Sequence, residues 1–240
     1  MDDAPDQPRW GLGEAILGFV VGLVLSSLFA SIWLGAGRDT EELSLGGQAF
    51  ASIGLWTGLV GAVVYSARRK GSGSVREDFG LDARPVDLLV GGVAGVGAQV
   101  VLVPVVALLL RPLLGEPDVS GPVEDLVDSA RGIGVAGLFL FIAVGAPVVE
   151  ELFFRGLVLR SLRRRAGTVV AVIGSSVLFG LAHPQDLPGD ALALVMISLA
   201  VLASLFAVLV IRTGRLGPAI VAHAVFNAWT LAHVLGDQGV

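Results

Sequence analysis

The sequence predicts an all-α membrane protein, a polytopic bundle of about seven transmembrane helices. Of its 240 residues, 54% are hydrophobic and 15% are charged, whereas soluble domains carry about 25% charged residues. The charges are also segregated, since 23 uncharged residues separate Asp87 from Arg111 and 21 separate Arg215 from Asp237. A helix needs about 20 apolar residues to cross a bilayer. We therefore expect the lipid bilayer as surroundings and no nucleic acid as partner.

Uncharged runs define seven candidate spans within one membrane domain, residues 1–240. The fifth run has only 15 residues, so we expect its neighbours to enclose it. The glycine-rich run 91–97 lies in mid-span without a preceding strand, which predicts close helix packing and not a nucleotide loop. The candidate spans are 15–34, 49–67, 88–110, 133–159, 168–182, 191–211 and 216–235.

The distribution of basic residues predicts an orientation. Seven spans place 12 of the 16 Lys and Arg residues on one side and three on the other, and Arg155 lies inside a span. Basic loops face the cytoplasm, so we expect a cytoplasmic N-terminus, an external C-terminus and an external acidic connection at 115–128. The acidic first ten residues lack the basic start of a cleaved signal peptide, so the first span is predicted to be a retained anchor. Fifteen Arg against one Lys is typical of a GC-rich bacterial genome, which predicts the bacterial plasma membrane.

Three groups of polar residues lie inside the predicted spans, where ionisable side chains are costly and mark functional sites. In each group, residues four apart share one face of a helix. Adjacent residues are turned by about 100°, so Glu150 points to a different neighbour from Glu151. The groups are Glu150-Glu151-x-x-x-Arg155 in the fourth span, Phe179-x-x-x-His183 at the end of the fifth and His223-x-x-x-Asn227 in the seventh.

These groups are predicted to converge in a chamber open to the cytoplasm. At 1.5 Å per residue, Glu150 and His183 lie about 20 Å deep, Asn227 about 16 Å and His223 about 10 Å. A purely structural interpretation explains Glu151 with Arg155 as a buried ion pair, and it explains a single histidine as a packing residue. It does not explain Glu150, which has no cationic partner in its own helix.

The residue types favour a hydrolase. A buried carboxylate can serve as general base, and His and Asn N–H groups can stabilise an oxyanion. Other peptidase chemistries lack their parts: the chain has no cysteine, no His-Glu-x-x-His zinc motif and no pair of Asp residues within spans. Its Gly174-Ser175-Ser176 is not the Gly-x-Ser-Gly of a membrane serine protease.

Taken together and in this order, the three motifs resemble the CPBP family of intramembrane endopeptidases, which includes the type II CAAX prenyl proteases. The resemblance covers residues 138–232. It implies that Glu150 is the catalytic base, that His183 is its partner on the water, and that His223 and Asn227 form the oxyanion side. It further implies that Glu151 and Arg155 support the site and that Phe179 packs against it.

The resemblance leaves the cofactor, the substrate and the activity itself as open alternatives. Zinc could be held by Glu150, His183 and His223, but we favour a metal-free site because the neutral amide of Asn227 is a poor zinc ligand. The expected substrate is a membrane protein or peptide. The alternative function is a non-catalytic immunity or partner-binding protein, or a transporter. A transporter should show repeat symmetry, whereas the polar groups all lie in the second half of this chain.

Overall fold

The structure, a computed structural model, describes residues 9–35, 45–128, 130 and 132–237. These residues form helices and turns without a strand, so the predicted fold class is confirmed. Arg38 and Arg131, two of the three basic residues on the predicted outer side, lie outside the described residues. The helices are α1 (Leu12–Leu34), α2 (Leu45–Lys70), α3 (Val75–Phe79), α4 (Pro85–Leu114), α5 (Gly121–Asp128), α6 and α7 (133–166 and 168–181, within Ile133–Leu181), α8 (Gly189–Thr213) and α9 (Gly217–Asp237).

Gly167 divides the longest helical run into two spans. Six helices of the described chain are long and apolar enough to cross a membrane, and one of them, Ile133–Leu181, has 49 residues. Gly167 interrupts this run with φ +80° and ψ 175°. Glycine adopts a positive φ without the steric cost that other residues meet. The break separates α6 from α7, which gives the predicted seven spans. The expectation that neighbours enclose the short fifth span is wrong, because Val169, Ile173 and Leu181 of α7 are 58–70% exposed.

The end of α6 corrects one predicted boundary. The sequence predicts that the fourth span ends near residue 159, but the helix continues to residue 166. Arginine is a good helix former, and two of the four arginines of this extension have partners in distant parts of the chain. Arg160 Nη2 donates to Gly214 O at 2.9 Å, and Arg164 Nη2 donates to Trp10 O at 2.7 Å. Arg164 also stacks 3.6 Å above the Trp10 ring.

The basic loops lie together at one end of the bundle, which we call the basic end and define by Lys70, Arg164 and Arg215. Lys70 pairs with Glu14 and so joins the end of α2 to the start of α1. Arg215 contacts both carboxylate oxygens of Asp87 at 2.5 to 3.1 Å and so joins the α8–α9 turn to the start of α4. The Asp87 carboxylate raises the pKa of the Arg215 guanidinium. This end gathers the loops that the sequence assigns to one side.

Glycines bring α4 and α9 into close contact. A Cβ atom on Gly91 would lie 2.6 Å from Val221 Cβ, and one on Gly95 would lie 2.5 Å from Ala222 O. Such distances leave no room for a side chain, so the close packing predicted for the run 91–97 is confirmed at Gly91 and Gly95, whereas Gly92 and Gly97 face open space. The contact fixes α9, the helix that bears the motif His223-x-x-x-Asn227.

Three short segments of α4 and α6 are π-helical, a form that is rare and often found at functional sites. They are Ala98–Leu102, Leu140–Gly145 and Leu152–Val158. The first two contact α9. All residues of the third are buried, and most of them belong to the main hydrophobic core. Glu150 and Glu151 stand between the second and third segments.

Candidate active site

Three helices bring the polar groups together. Glu150 and Glu151 end a short α-helical stretch of α6, Ala146–Glu151, in which the helical turn points the two carboxylates in different directions. His223 lies in α9, and His183 follows the end of α7 by two residues. Pro184 comes next and disfavours helical conformation for the residue before it, so the chain leaves α7 at this histidine.

Glu151 lies at the centre of a buried network of charged and polar groups. Its Oε1 atom is 3.1 Å from Arg155 Nη1 and 3.0 Å from His223 Nδ1. The side chains of Glu151 and Arg155 are 0% and 1% exposed. Arg155 Nη2 also donates to Ala203 O at 3.2 Å, which joins α6 to α8. Buried charges need such partners because their desolvation is expensive.

Phe179 packs against Arg155, His183 and His223. Arg155 Cζ lies 4.4 Å from the centre of the Phe179 ring, a cation–π distance. The ring centres of His183 and His223 lie 4.5 and 5.8 Å from that of Phe179. Phe206 of α8 stacks on His223 with 5.2 Å between ring centres. The aromatic rings therefore hold both imidazoles in fixed orientations.

The hydrogen bonds of the two histidines indicate which nitrogen carries the proton. His183 Nδ1 lies 2.7 Å from Phe179 O, and a carbonyl oxygen only accepts hydrogen bonds. His223 Nδ1 lies 3.0 Å from Glu151 Oε1, and an ionised carboxylate also only accepts. Both rings therefore donate from Nδ1. When neutral, each leaves its Nε2 atom as an acceptor.

Both Nε2 atoms face the same oxygen of Glu150. Glu150 Oε2 is 3.6 Å from His183 Nε2 and 3.8 Å from His223 Nε2, too far for direct hydrogen bonds. This oxygen is buried without a hydrogen-bond partner in the structure. Glu150 and His183 are 18% and 26% exposed, so the site is open on their side. Three acceptors around one point suit a ligand that brings protons or positive charge, such as a water molecule.

Asn227 binds the backbone of α6. Its Nδ2 atom donates to Ile142 O at 2.8 Å. The amide nitrogen carries two hydrogens, so a second N–H is left for another acceptor. The structure therefore brings Glu150, His183 and His223 together and places Asn227 one turn further along α9.

Sequence reasoning missed Gln99 and Asp87 as residues that hold α9. The Gln99 amide donates to Phe226 O at 3.0 Å and to the Thr230 hydroxyl. Asp87, at the start of α4, binds Arg215 just before α9 begins. An amide in mid-span and an acidic residue at a span boundary were the available signals. Neither signal identifies the partner residues, because these lie more than 120 residues further along the chain.

The donors of this site match zinc in chemical type. Glu150, His183 and His223 offer one carboxylate and two imidazoles, and each imidazole donates its other N–H to an oxygen, as metal-bound histidines do. Among the described residues, however, no three His, Asp or Glu side chains form a group that could hold a metal ion. The residue types therefore suit zinc, but in the described structure the side chains are not arranged as a group that could hold the ion.

One comparison with known proteins finds a similarity. Residues 132–229 match the family model described as Type II CAAX prenyl endopeptidase Rce1-like. The matched segment overlaps the predicted segment 138–232 and contains all three motifs. No curated protein and no solved structure gives a significant match.

Proposed function

We propose that the chain, whose residues 132–229 match the Rce1-like family of type II CAAX prenyl endopeptidases, is a member of that family and cleaves peptide bonds in the membrane by a water that Glu150 activates. The family match and the six apolar helices support a peptidase-type integral membrane protein. The observation that carries the finer proposal is the convergence of two histidine Nε2 atoms on the Glu150 carboxylate.

In this proposal, Glu150 takes a proton from the bound water, and the resulting hydroxide attacks the carbonyl carbon of the scissile bond. His183 Nε2 accepts a hydrogen bond from the second hydrogen of the water. This bond orients a lone pair of the water oxygen towards the substrate. The tetrahedral intermediate collapses when Glu150 returns the proton to the leaving nitrogen. The same carboxyl group is base and then acid, and the proton count balances without a further group.

The oxyanion side of the proposed site is α9. The second N–H of Asn227 can donate to the oxyanion, and such a donor contributes about 3 kcal/mol. His223 donates from Nε2 only when its ring is doubly protonated, because its neutral form keeps the proton on Nδ1 against Glu151. Glu151 Oε1 accepts from His223 Nδ1 and so holds the ring in place, and Arg155 pairs with Glu151.

A zinc ion is the alternative way to activate the water. Glu150, His183 and His223 would hold it, and it would act as a Lewis acid that lowers the pKa of the bound water. We favour the metal-free site because the amide of Asn227 suits an oxyanion better than a metal. The three protein groups keep their places around the reaction centre in either case.

We propose a segment of a membrane protein or membrane-bound peptide as the substrate. A carboxylate about 20 Å from the basic end of its helix reaches substrates that enter the bilayer. With the basic end inside, the protein sits in the bacterial plasma membrane with a cytoplasmic N-terminus. We also propose that residues 1–240 form one membrane domain, since α4 of the first half packs tightly against α9.

The experiment compares wild type with Glu150→Gln in proteoliposomes. The probes are a farnesylated CAAX peptide and, separately, an unprenylated transmembrane peptide, both with a fluorophore and a quencher. Glutamine keeps size and hydrogen bonding but cannot take the proton, so cleavage should fall by about 10²–10⁴-fold. Glu124→Gln, the same change on exposed α5, is the matched control. Cleavage by Glu150→Gln at the wild-type rate would refute the role of the base, and a wild type that binds but never cleaves either probe would favour the non-catalytic alternative.

A further inference from the structure

The π-helical segment Leu140–Gly145 leaves one backbone carbonyl without a helical donor. The N–H of Ala146 donates five residues back, to Phe141 O, and not to Ile142 O four residues back. The next residue in line for Ile142 O is Pro147, which has no N–H. Ile142 O therefore lacks both its i+4 and its i+5 donor. Inside a membrane, where water does not replace them, an unsatisfied carbonyl costs several kcal/mol.

The side chain of Asn227 takes the place of the missing donor. Its Nδ2 atom lies 2.8 Å from Ile142 O. We infer that Asn227, besides the contact proposed for its second N–H, has a positioning role: it holds α9 against the π-helical segment of α6 by the hydrogen bond that Pro147 cannot make. Since a carbonyl oxygen only accepts, this bond also fixes the amide with its nitrogen towards α6.

The bond acts on the site from both helices. On α9, His223 lies one turn before Asn227, and on α6, Glu150 lies three residues after Pro147. The bond between Asn227 and Ile142 thus adds a second polar contact between α9 and α6 to the contact of His223 with Glu151. This consequence for catalysis rests on the proposed function, whereas the bond itself does not.

The first π-helical segment, Ala98–Leu102, has the same backbone pattern followed by a proline, and it supplies a control. There the N–H of Val103 donates to Ala98 O five residues back, and Pro104 follows. The side chain of Gln99, in the same segment, also contacts α9, at Phe226 and Thr230. Pro104→Ala therefore makes the same chemical change as Pro147→Ala in an equivalent place, and it leaves the bond between Asn227 and Ile142 intact.

The first test is a spectrum of a single side chain. Asn227 is the only asparagine of the chain, so ¹⁵N-asparagine labelling of the full protein in detergent micelles gives one side-chain NH₂ pair. In wild type, one proton of the pair should be shifted downfield by its hydrogen bond to the carbonyl. In Pro147→Ala, the new backbone N–H competes for Ile142 O, and the shifted proton should move back towards its partner. Pro104→Ala should leave the pair unchanged. An NH₂ pair that is the same in all three proteins would overturn the inference.

The second test is a double-mutant cycle on stability. Asn227→Ala should raise the unfolding equilibrium constant more in the wild-type background than in Pro147→Ala, where the carbonyl has its own donor. Hydrogen bonds between membrane helices predict a difference of about three- to tenfold between the two backgrounds. Asn227→Ala should cost the same in Pro104→Ala as in wild type. Equal effects in the Pro147→Ala and wild-type backgrounds would overturn the inference.

A third measurement separates positioning from structure alone. If wild type cleaves either probe peptide, Pro147→Ala should lower kcat by about ten- to a hundredfold at unchanged KM, since a misplacement of about 1 Å has effects of this size. An unchanged kcat beside a moved Asn227 signal would refute the positioning role. The spectrum and the stability cycle need no substrate, so an inactive wild type would count against the proposed function alone.

Discussion

Replacing Arg155 with methionine should destabilise the protein strongly, and a second replacement at Glu151 should restore part of the stability. Methionine keeps much of the volume of the arginine stem, so the change removes charge without opening a large cavity. It leaves the Glu151 carboxylate, which is 0% exposed, with the imidazole of His223 as its remaining partner among the described residues.

The expected loss is dominated by the charge left behind. Removing one partner of a buried ion pair costs about 3–5 kcal/mol. The lost cation–π contact between Arg155 and Phe179, at 4.4 Å, adds about 0.5–2 kcal/mol. The whole protein is stabilised by about 5–15 kcal/mol, so Arg155→Met should fold only marginally. In Arg155→Met/Glu151→Gln the buried charge is gone, and an uncharged replacement of a buried pair is often neutral.

The assay is equilibrium unfolding of the full chain in mixed detergent micelles, for wild type, both single variants and the double variant. The order expected is wild type, then the double variant, then the two single variants. Arg76→Ala is the control. The Arg76 side chain is 73% exposed, so its ion pair with Asp82 should contribute only about 0–1 kcal/mol to stability. A double variant no more stable than Arg155→Met would refute the argument, since the cost would then not come from an unpaired charge.

Three further predictions address topology, metal and helix packing. The chain has no cysteine, so a membrane-impermeant maleimide added to intact cells should label Glu116→Cys and spare Ser72→Cys; the reverse pattern would overturn the predicted orientation. A chelator should leave cleavage of the probe peptide unchanged, and the purified protein should hold less than one zinc per chain. Stoichiometric zinc whose removal abolishes cleavage, and whose return restores it, would refute the metal-free site. Gly95→Val should lower both stability and cleavage because its side chain would meet Ala222 O, whereas Gly92→Val, which meets nothing within 4 Å, should be tolerated. Equal effects of the two valines would contradict the packing argument.

The spans and the polar groups that the structure brings together could be predicted from local properties of the sequence. Uncharged runs mark helices because a bilayer excludes charge, and the i, i+4 spacing gives the contact of Glu151 with Arg155 because it follows from helix geometry. The extension of α6 to residue 166 was not predicted, because the partners of its arginines, Trp10 and Gly214, lie in distant parts of the chain.

The hydrogen-bond pattern of the site could not be predicted in the same way. Proline inside a span indicates a disturbed helix, but the sequence does not say which carbonyl loses its donor or which side chain replaces it. The bond between Asn227 and Ile142 joins residues 85 positions apart, and that between His223 and Glu151 joins residues 72 apart. Such contacts depend on the rotation of one helix about its axis relative to another, which packing across the whole bundle decides.

The two adjacent glutamates illustrate how one stretch of helix serves stability and chemistry at once. Glu151 is neutralised by Arg155 and is fully buried, so its carboxylate is a fixed structural charge. Glu150, about 100° around the helix, has no cation of its own and faces the open side between His183 and His223. His223 binds Glu151 through Nδ1 and faces Glu150 Oε2 with Nε2 at 3.8 Å. The structural charge therefore sets the tautomer of a residue in the proposed reaction, and the two roles cannot be assigned to separate sets of residues.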